Sequence, residues 1–280
     1  MCVICVTLRV AIYRNAAERL DTMAQARAYF DVEERPASVP IWREALFGLD
    51  WLTLRVSPVL YGCGVPRGDG APVVVVPGFL GSDIYLLEMY FWLGRIGYRP
   101  FLSRIGRNAD CLDLLLDRLL GTVEEARAAT GRPVHLVGHS LGGMLSRAAA
   151  VRRPDRIASV ITLGSPFRGI RSHPLVMQAT SAVRARIRKR AEQKETECFT
   201  GGCQCDAVAA LQTPLPTAVP QIAVFTKTDG IVAWESCVND DPESDLEVSG
   251  THVGLAWNPQ VYRIIAERLA ALAPARSSAE

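Results

Sequence analysis

The sequence predicts an α/β fold with a mostly parallel central sheet flanked by helices. Short β-branched runs end abruptly at glycine or proline, as strands buried on both faces do. They alternate with helical patterns of about ten or more residues, the rhythm of βαβ units. One of the strands enters its helix through Gly-x-Ser-x-Gly.

Composition supports a globular chain. The 280 residues are 49% hydrophobic and 21% charged, enough for one large core. Lys and Arg number 31 against 29 Asp and Glu, a formal charge of +2, which argues against a nucleic-acid groove or an anionic membrane surface. No run reaches the ~18 consecutive apolar residues of a transmembrane helix, and the longest candidate, Cys2 to Ile12, is broken by Arg9. That segment has no basic residues ahead of its apolar run and no small-residue cleavage site, so a cytoplasmic protein is expected, with secretion as the alternative.

Residues 1–60 read as an N-terminal helical extension: Ala16–Phe30 has amphipathic spacing, and Ile41–Leu60 is apolar and rich in tryptophan. A turn-rich passage, Gly62 to Pro72, releases the strand Val73–Val76, which stops at Pro77-Gly78. Helical spacing over Ile84–Ile96, a short strand at Tyr98–Leu102 and a long helix over Ala109–Thr130 follow. Val134–Val137 is the next buried strand, then a helix from Leu141 to Arg152 and a strand at Ile157–Leu163. The rhythm then lapses until Gln221–Phe225, so about 167–218 is expected to be an inserted cap or lid. Leu246–Val248 and the helix Pro259–Leu272 complete a unit spanning 61–273, and 274–280 is expected to be a disordered tail.

The segment Val134-His135-Leu136-Val137-Gly138-His139-Ser140-Leu141-Gly142-Gly143 carries the chemistry. A serine at a sharp strand-to-helix turn adopts a strained backbone, and the positions two before and two after it approach neighbouring chain closely, which glycine tolerates. The turn lifts Ser140 Oγ above the carboxyl ends of the strands and aims the next helix N-terminus at the reaction centre, where the Leu141 N–H can face negative charge. An ordinary β-to-α turn with a capping serine uses the same residue types; the strand before and the helix after favour the reactive turn.

On this elbow the chain resembles the α/β-hydrolase superfamily, in the lipase and esterase branch with Gly-His-Ser-Leu-Gly. The resemblance covers roughly residues 70–273. It implies an eight-stranded, mostly parallel sheet, a Ser–acid–His triad in that chain order, a second oxyanion donor after an earlier strand, an ester or lipid substrate, and no metal or organic cofactor. By that pattern the second donor is the Phe79 N–H in Pro77-Gly78-Phe79-Leu80-Gly81. Many relatives have His-Gly where this chain has Pro77-Gly78, which leaves the backbone donor in place but no histidine side chain to support it. The acid is expected at Asp229, leaving strand Gln221–Phe225 beside Gly230; Asp240, Asp241, Glu243 and Asp245 are rivals in a polar loop. Of four histidines, His135 lies in a strand, His139 beside the nucleophile and His173 before the acid, leaving His252 in Ser249-Gly250-Thr251-His252-Val253-Gly254 as the base.

These residues imply a serine carboxylester hydrolase working through an acyl-enzyme on Ser140. Phe167, Leu175, Val176 and Met177 at the start of the insertion are candidates for an acyl-binding wall, with core packing as the other reading. Lipase and esterase stay open, as do acyl transfer or thioester cleavage by the same triad and a non-catalytic binding protein on the same fold. Oligomeric state is not readable. Cys198, Cys203, Cys205 and Cys237 are compatible with disulfides tying the insertion down, with free thiols, or with zinc, although C-x4-C-x-C is not a usual structural-zinc spacing. Cys2-x-x-Cys5 begins no thioredoxin-like βαβ unit and reads as incidental. The basic run Arg184–Arg190 suits either a solvated helix face or an anionic interface.

Overall fold

The structure is a computed structural model, and it describes residues 31–190 and 205–272. The helical reading of Ala16–Phe30, the cysteines 198 and 203 and the tail 274–280 lie outside the described residues.

Six strands form one sheet: β2 (Pro72–Val76), β3 (Arg99–Leu102), β4 (Val134–His139), β5 (Ile157–Leu163), β7 (Gln221–Phe225) and β8 (Asp245–Glu247). Their order is β3-β2-β4-β5-β7-β8, and every pair is parallel. Successive strand residues point to opposite faces. Thus Val73 and Val75 join a core with Trp92, Leu93, Tyr262 and Ile265, whereas Val74 and Val76 join a second core with Leu116, Leu119, Leu145 and Ala149. The first core is closed by α2 (Leu87–Arg95) and α7 (Pro259–Ala271), the second by α3 (Leu112–Thr130) and α4 (Leu141–Arg152). Burial on both faces is why these strands read as continuous apolar runs.

Three expectations change. The resemblance implied eight strands in one sheet; the described residues hold six in the sheet and two in a separate parallel pair, β1 (Asp31–Pro36) with β6 (Gly169–Ser172). The extension over 1–60 is therefore not purely helical. Its sequence there, Asp-Val-Glu-Glu-Arg-Pro, has no apolar alternation to announce a strand. Its later part, a 3-10 helix at Ile41–Leu46 and α1 (Phe47–Val56), packs against the loop before α7. The insertion also divides: β6 lies outside the six-stranded sheet and α5 (Pro174–Arg190) lines the cavity that Ser140 borders, but α6 (Asp206–Gln212) buries Ala207, Ala210 and Leu211 in the second core beside α3 and α4. Of the basic run, Arg184 turns inward to pair with Glu34 of β1. Cys237 is a buried free thiol, so no disulfide ties it to the insertion.

Because the sheet is parallel, the carboxyl ends of all six strands share one edge. The loops after β2, β4, β5, β7 and β8 must therefore meet there.

Candidate active site

The elbow is built as its residue types require. Ser140 sits between β4 and α4 with φ 53° and ψ −123°, a left-handed conformation that a non-glycine residue adopts only when its surroundings enforce it. A hydrogen bond from Ser140 N to Leu163 O at 2.8 Å fastens the turn to β5. A Cβ at Gly138 would lie 2.5 Å from Gly142 O, and one at Gly142 would collide with Val76 O and lie 2.5 Å from Pro77 O. Since the obstruction is backbone, it cannot swing aside. Gly142→Ala is expected to cost about 1–3 kcal/mol through overpacking, visible as a lower midpoint in denaturant unfolding; an unchanged midpoint contradicts the close approach.

The loop after β2 crosses directly over the elbow. A Cβ on Gly78 would stand 3.1 Å from Ser140 Cβ. Buried Asn108 holds this loop: its Nδ2 donates to Pro77 O at 2.7 Å, its N–H donates to Gly81 O at 2.8 Å, and its carbonyl accepts from Leu80 N at 2.9 Å. Phe79 borders the same cavity as Ser140. Among the described residues, neither the Phe79 nor the Leu141 N–H is used in a hydrogen bond, so both amides are available to an incoming acceptor.

Asp229 follows β7 in a tight turn and is buried, with Oδ1 accepting from Ile231 N and Val232 N, each at 2.8 Å. Its Oδ2 lies 2.6 Å from His252 Nδ1. A carboxylate so held by two amides has only one oxygen left for the imidazole, and it fixes the tautomer with the proton on Nδ1. His252 is buried, and burial alone disfavours its charged form; the Asp229 charge, the hydrogen bond to it and the Glu44 charge outweigh this and leave its pKa above the ordinary imidazole value.

The other histidines have different surroundings. His135 bonds Ser159 Oγ across the sheet at 2.7 Å, and burial lowers its pKa to about 4. His139, buried beside Ser140, is pushed to about 3 by burial and then by the neighbouring His252. Its Nε2 faces the His252 carbonyl at 2.9 Å, which can only accept, so His139 donates and braces the loop that carries His252. His173 Nδ1 accepts from Leu175 N at 3.2 Å at the start of α5. Of the rival acids, Asp245 accepts from Asn239 N and Asp241 N, at 2.7 and 3.0 Å, within its own turn.

Ser140, Leu141, Phe79 and His252 border a single cavity of about 480 Å³. Most of its lining surface is apolar, with Leu112, Met144, Ile170, Val183, Val208 and Leu211 among the residues and Glu34, Asp110 and Arg184 as charged members. Leu175 and Val176 line it from α5. Phe167 and Met177 lie outside the lining; Phe167 is fully buried, with the Arg147 guanidinium carbon 4.6 Å from its ring centre. Among the described residues, no group of His, Cys, Asp and Glu is disposed to hold a metal ion.

Sequence reasoning missed Asn108, the bracing role of His139, and a carboxylate from residues 41–46 behind the loop that carries His252. Only His139 carried a signal, its place in the elbow motif; the others act over long sequence separations.

The sheet, elbow and crossing loop define the α/β-hydrolase fold. Residues 119–237 match a family model described as the alpha/beta hydrolase fold, a span that includes Ser140 and Asp229. One of two metagenome-derived lipolytic enzymes superposes with a TM-score of 0.53 at 18% identity, covering 74% of this chain and 95% of that one. A soluble variant of monoglyceride lipase from Saccharomyces cerevisiae gives 0.53 at 15% identity, covering 75% and 91%. In sequence, the chain is 32% identical over 133 residues to a triacylglycerol lipase of Burkholderia plantarii, covering 44% of this chain and 37% of that one. It is 34% identical over 107 residues to one of Pseudarthrobacter phenanthrenivorans, covering 35% and 34%. The chain thus spans about a third of the length of these curated relatives. Among the described residues, no helix is long and apolar enough to cross a membrane.

Proposed function

We propose that the protein is a serine carboxylester hydrolase in which Ser140 is the nucleophile, His252 the base, Asp229 the orienting acid, and the Phe79 and Leu141 N–H groups the oxyanion donors. The observation that carries this reading is the 2.6 Å contact between His252 Nδ1 and Asp229 Oδ2, with His252 lining a cavity that the elbow serine also borders.

Neutral His252 takes the Ser140 proton as Oγ attacks the ester carbonyl, and Asp229 stabilises the imidazolium that forms. The two amides bind the oxyanion; one donor of this kind is worth about 3–4 kcal/mol in the transition state. His252 then protonates the departing alcohol. Water, deprotonated by the same imidazole, releases the acid and regenerates Ser140. The predominantly apolar lining suits the hydrocarbon part of an ester, which supports a lipid or other hydrophobic ester as substrate.

Because the base must be neutral and its pKa is raised, kcat/KM for p-nitrophenyl butyrate is expected to rise through a single ionisation above the ordinary imidazole value of about 6.5. His135 and His139, held at about 4 and about 3, stay neutral across that range and add no second limb. A profile flat from about pH 5 to 8 contradicts His252 as the base. Comparing p-nitrophenyl butyrate with emulsified long-chain triacylglycerol separates esterase from lipase use.

A further inference from the structure

The acid and the base of the proton relay come from the segments after β7 and β8, Asp229 ahead of the 3-10 helix Trp234–Cys237 and His252 just before the 3-10 helix Val253–Trp257. They meet on one side chain from outside the sheet domain. Glu44, in the 3-10 helix Ile41–Leu46, accepts through Oε1 from Gly230 N at 2.8 Å and from His252 N at 3.0 Å, and through Oε2 from Val253 N at 2.9 Å. Gly230 directly follows Asp229, and Val253 directly follows His252. A single carboxylate therefore holds the peptide groups next to both halves of the acid–base pair, with bonds of the charge-assisted kind.

A second acid from the same segment continues the clamp. Asp50 Oδ2 accepts from Thr251 N at 3.2 Å and from Thr251 Oγ1 at 3.0 Å. It lies so close to Gly254 that a Cβ there would collide with Asp50 Oδ2. From the other side, Tyr85 Oη donates to Val253 O at 2.8 Å and His139 Nε2 to His252 O at 2.9 Å. The base loop thus has its amides gripped by acids from residues 41–56 and its carbonyls by groups of the sheet domain.

We propose that Glu44 is a positioning residue of the triad, setting the Asp229–His252 geometry by tying the two loops together and adding negative charge behind the imidazole. The inference rests on the triad assigned above. It gives the segment before the sheet a task that the hydrolase pattern does not supply.

Two effects follow from the chemistry. Glu44→Gln preserves shape, but its amide can accept at only one end; with its oxygen toward Gly230 and His252, its NH2 faces the Val253 N–H, donor against donor. Displacing the base loop misaligns the proton transfer, and errors near 1 Å cost up to about 100-fold. Removing the charge also makes His252 a weaker base, because Glu44 is one of the anions favouring its charged form. The charged or titratable groups facing His252 are Asp229 from the β7 loop, Glu44 from the 3-10 helix and His139 from the elbow, with Asp50 one peptide removed at Thr251. Of these, only Glu44 is altered.

The test measures kcat, KM and the pH profile with p-nitrophenyl butyrate for wild type, Glu44→Gln, Glu44→Ala and Ser140→Ala, counting competent sites by fluorophosphonate titration taken to completion. Glu44→Gln is expected to lose about 10- to 100-fold in kcat per titrated site with KM within about twofold. The acid limb of its kcat/KM profile is expected to move to lower pH, and Glu44→Ala to lose at least as much. Wild-type turnover per site, or fewer titratable sites with unchanged per-site turnover and an unmoved acid limb, overturns the proposal and leaves Glu44 a packing residue. If Ser140→Ala is inactive while the Glu44 variants match wild type, the inference alone fails. If Ser140→Ala keeps its activity, the triad falls and the positioning role with it.

Discussion

Ser140→Ala is expected to lower kcat for p-nitrophenyl esters by on the order of 10⁶-fold while leaving the unfolding midpoint where it is. The size follows from the mechanism: without Oγ no acyl-enzyme forms, and His252 and Asp229 have nothing to activate. Removing any member of such a unit costs nearly as much as removing all of it. The unchanged stability follows from the structure. Among the described residues Ser140 Oγ makes no hydrogen bond, and the elbow is held by the backbone bond to Leu163 and by Gly138 and Gly142. Alanine keeps the Cβ and the strained φ. A circular-dichroism melt paired with an ester assay reads both parts; loss of activity accompanied by unfolding leaves the chemical claim without support, and retained activity refutes it.

Asp229→Asn is expected to lower kcat by about 10⁴-fold without moving KM greatly. Asp229 Oδ1 already accepts from two backbone amides at 2.8 Å. An asparagine keeps its single carbonyl oxygen there, because a buried NH2 against two N–H groups leaves all of them unsatisfied. Its NH2 then faces His252 Nδ1, which must turn acceptor. The imidazole proton moves to Nε2, the nitrogen that has to receive the Ser140 proton. The variant is therefore a folded protein with the base in the wrong tautomer. Activity within about tenfold of wild type contradicts this account of Asp229, and Asp240 or Asp245 becomes the acid to test.

The parallel sheet was legible because its strands are buried on both faces. Val73–Val76, Ile157–Leu163 and Gln221–Phe225 announce themselves as apolar runs, and the observed strands over these stretches differ from the expected ones by at most one residue. Even the short strands expected at Tyr98–Leu102 and Leu246–Val248 are observed within a residue, but outside this sheet the signal fails. Asp31–Pro36 pairs with Gly169–Ser172 although neither segment has an apolar core pattern. The lining of the cavity was harder to read than the strands. Leu175 and Val176 face it while Phe167 and Met177, from the same stretch, do not. Helical phase around α5 decides that for Val176 and Met177, and the close packing of Phe167 on Arg147 decides it for the aromatic. Least legible of all was Glu44, which acts 186 and 208 residues away in sequence. No local pattern links a carboxylate to backbone amides at that separation; only the folded chain brings them together.

The proposed mechanism turns on Ser140 as a nucleophile activated within this one constellation. Its most direct measurement is intact-protein and peptide mass spectrometry after reaction with a fluorophosphonate. A single phosphonyl adduct is expected, on the peptide containing Ser140, formed faster as pH rises through the His252 ionisation and absent from Ser140→Ala. An adduct on any other residue, or equal labelling of Ser140→Ala, contradicts it.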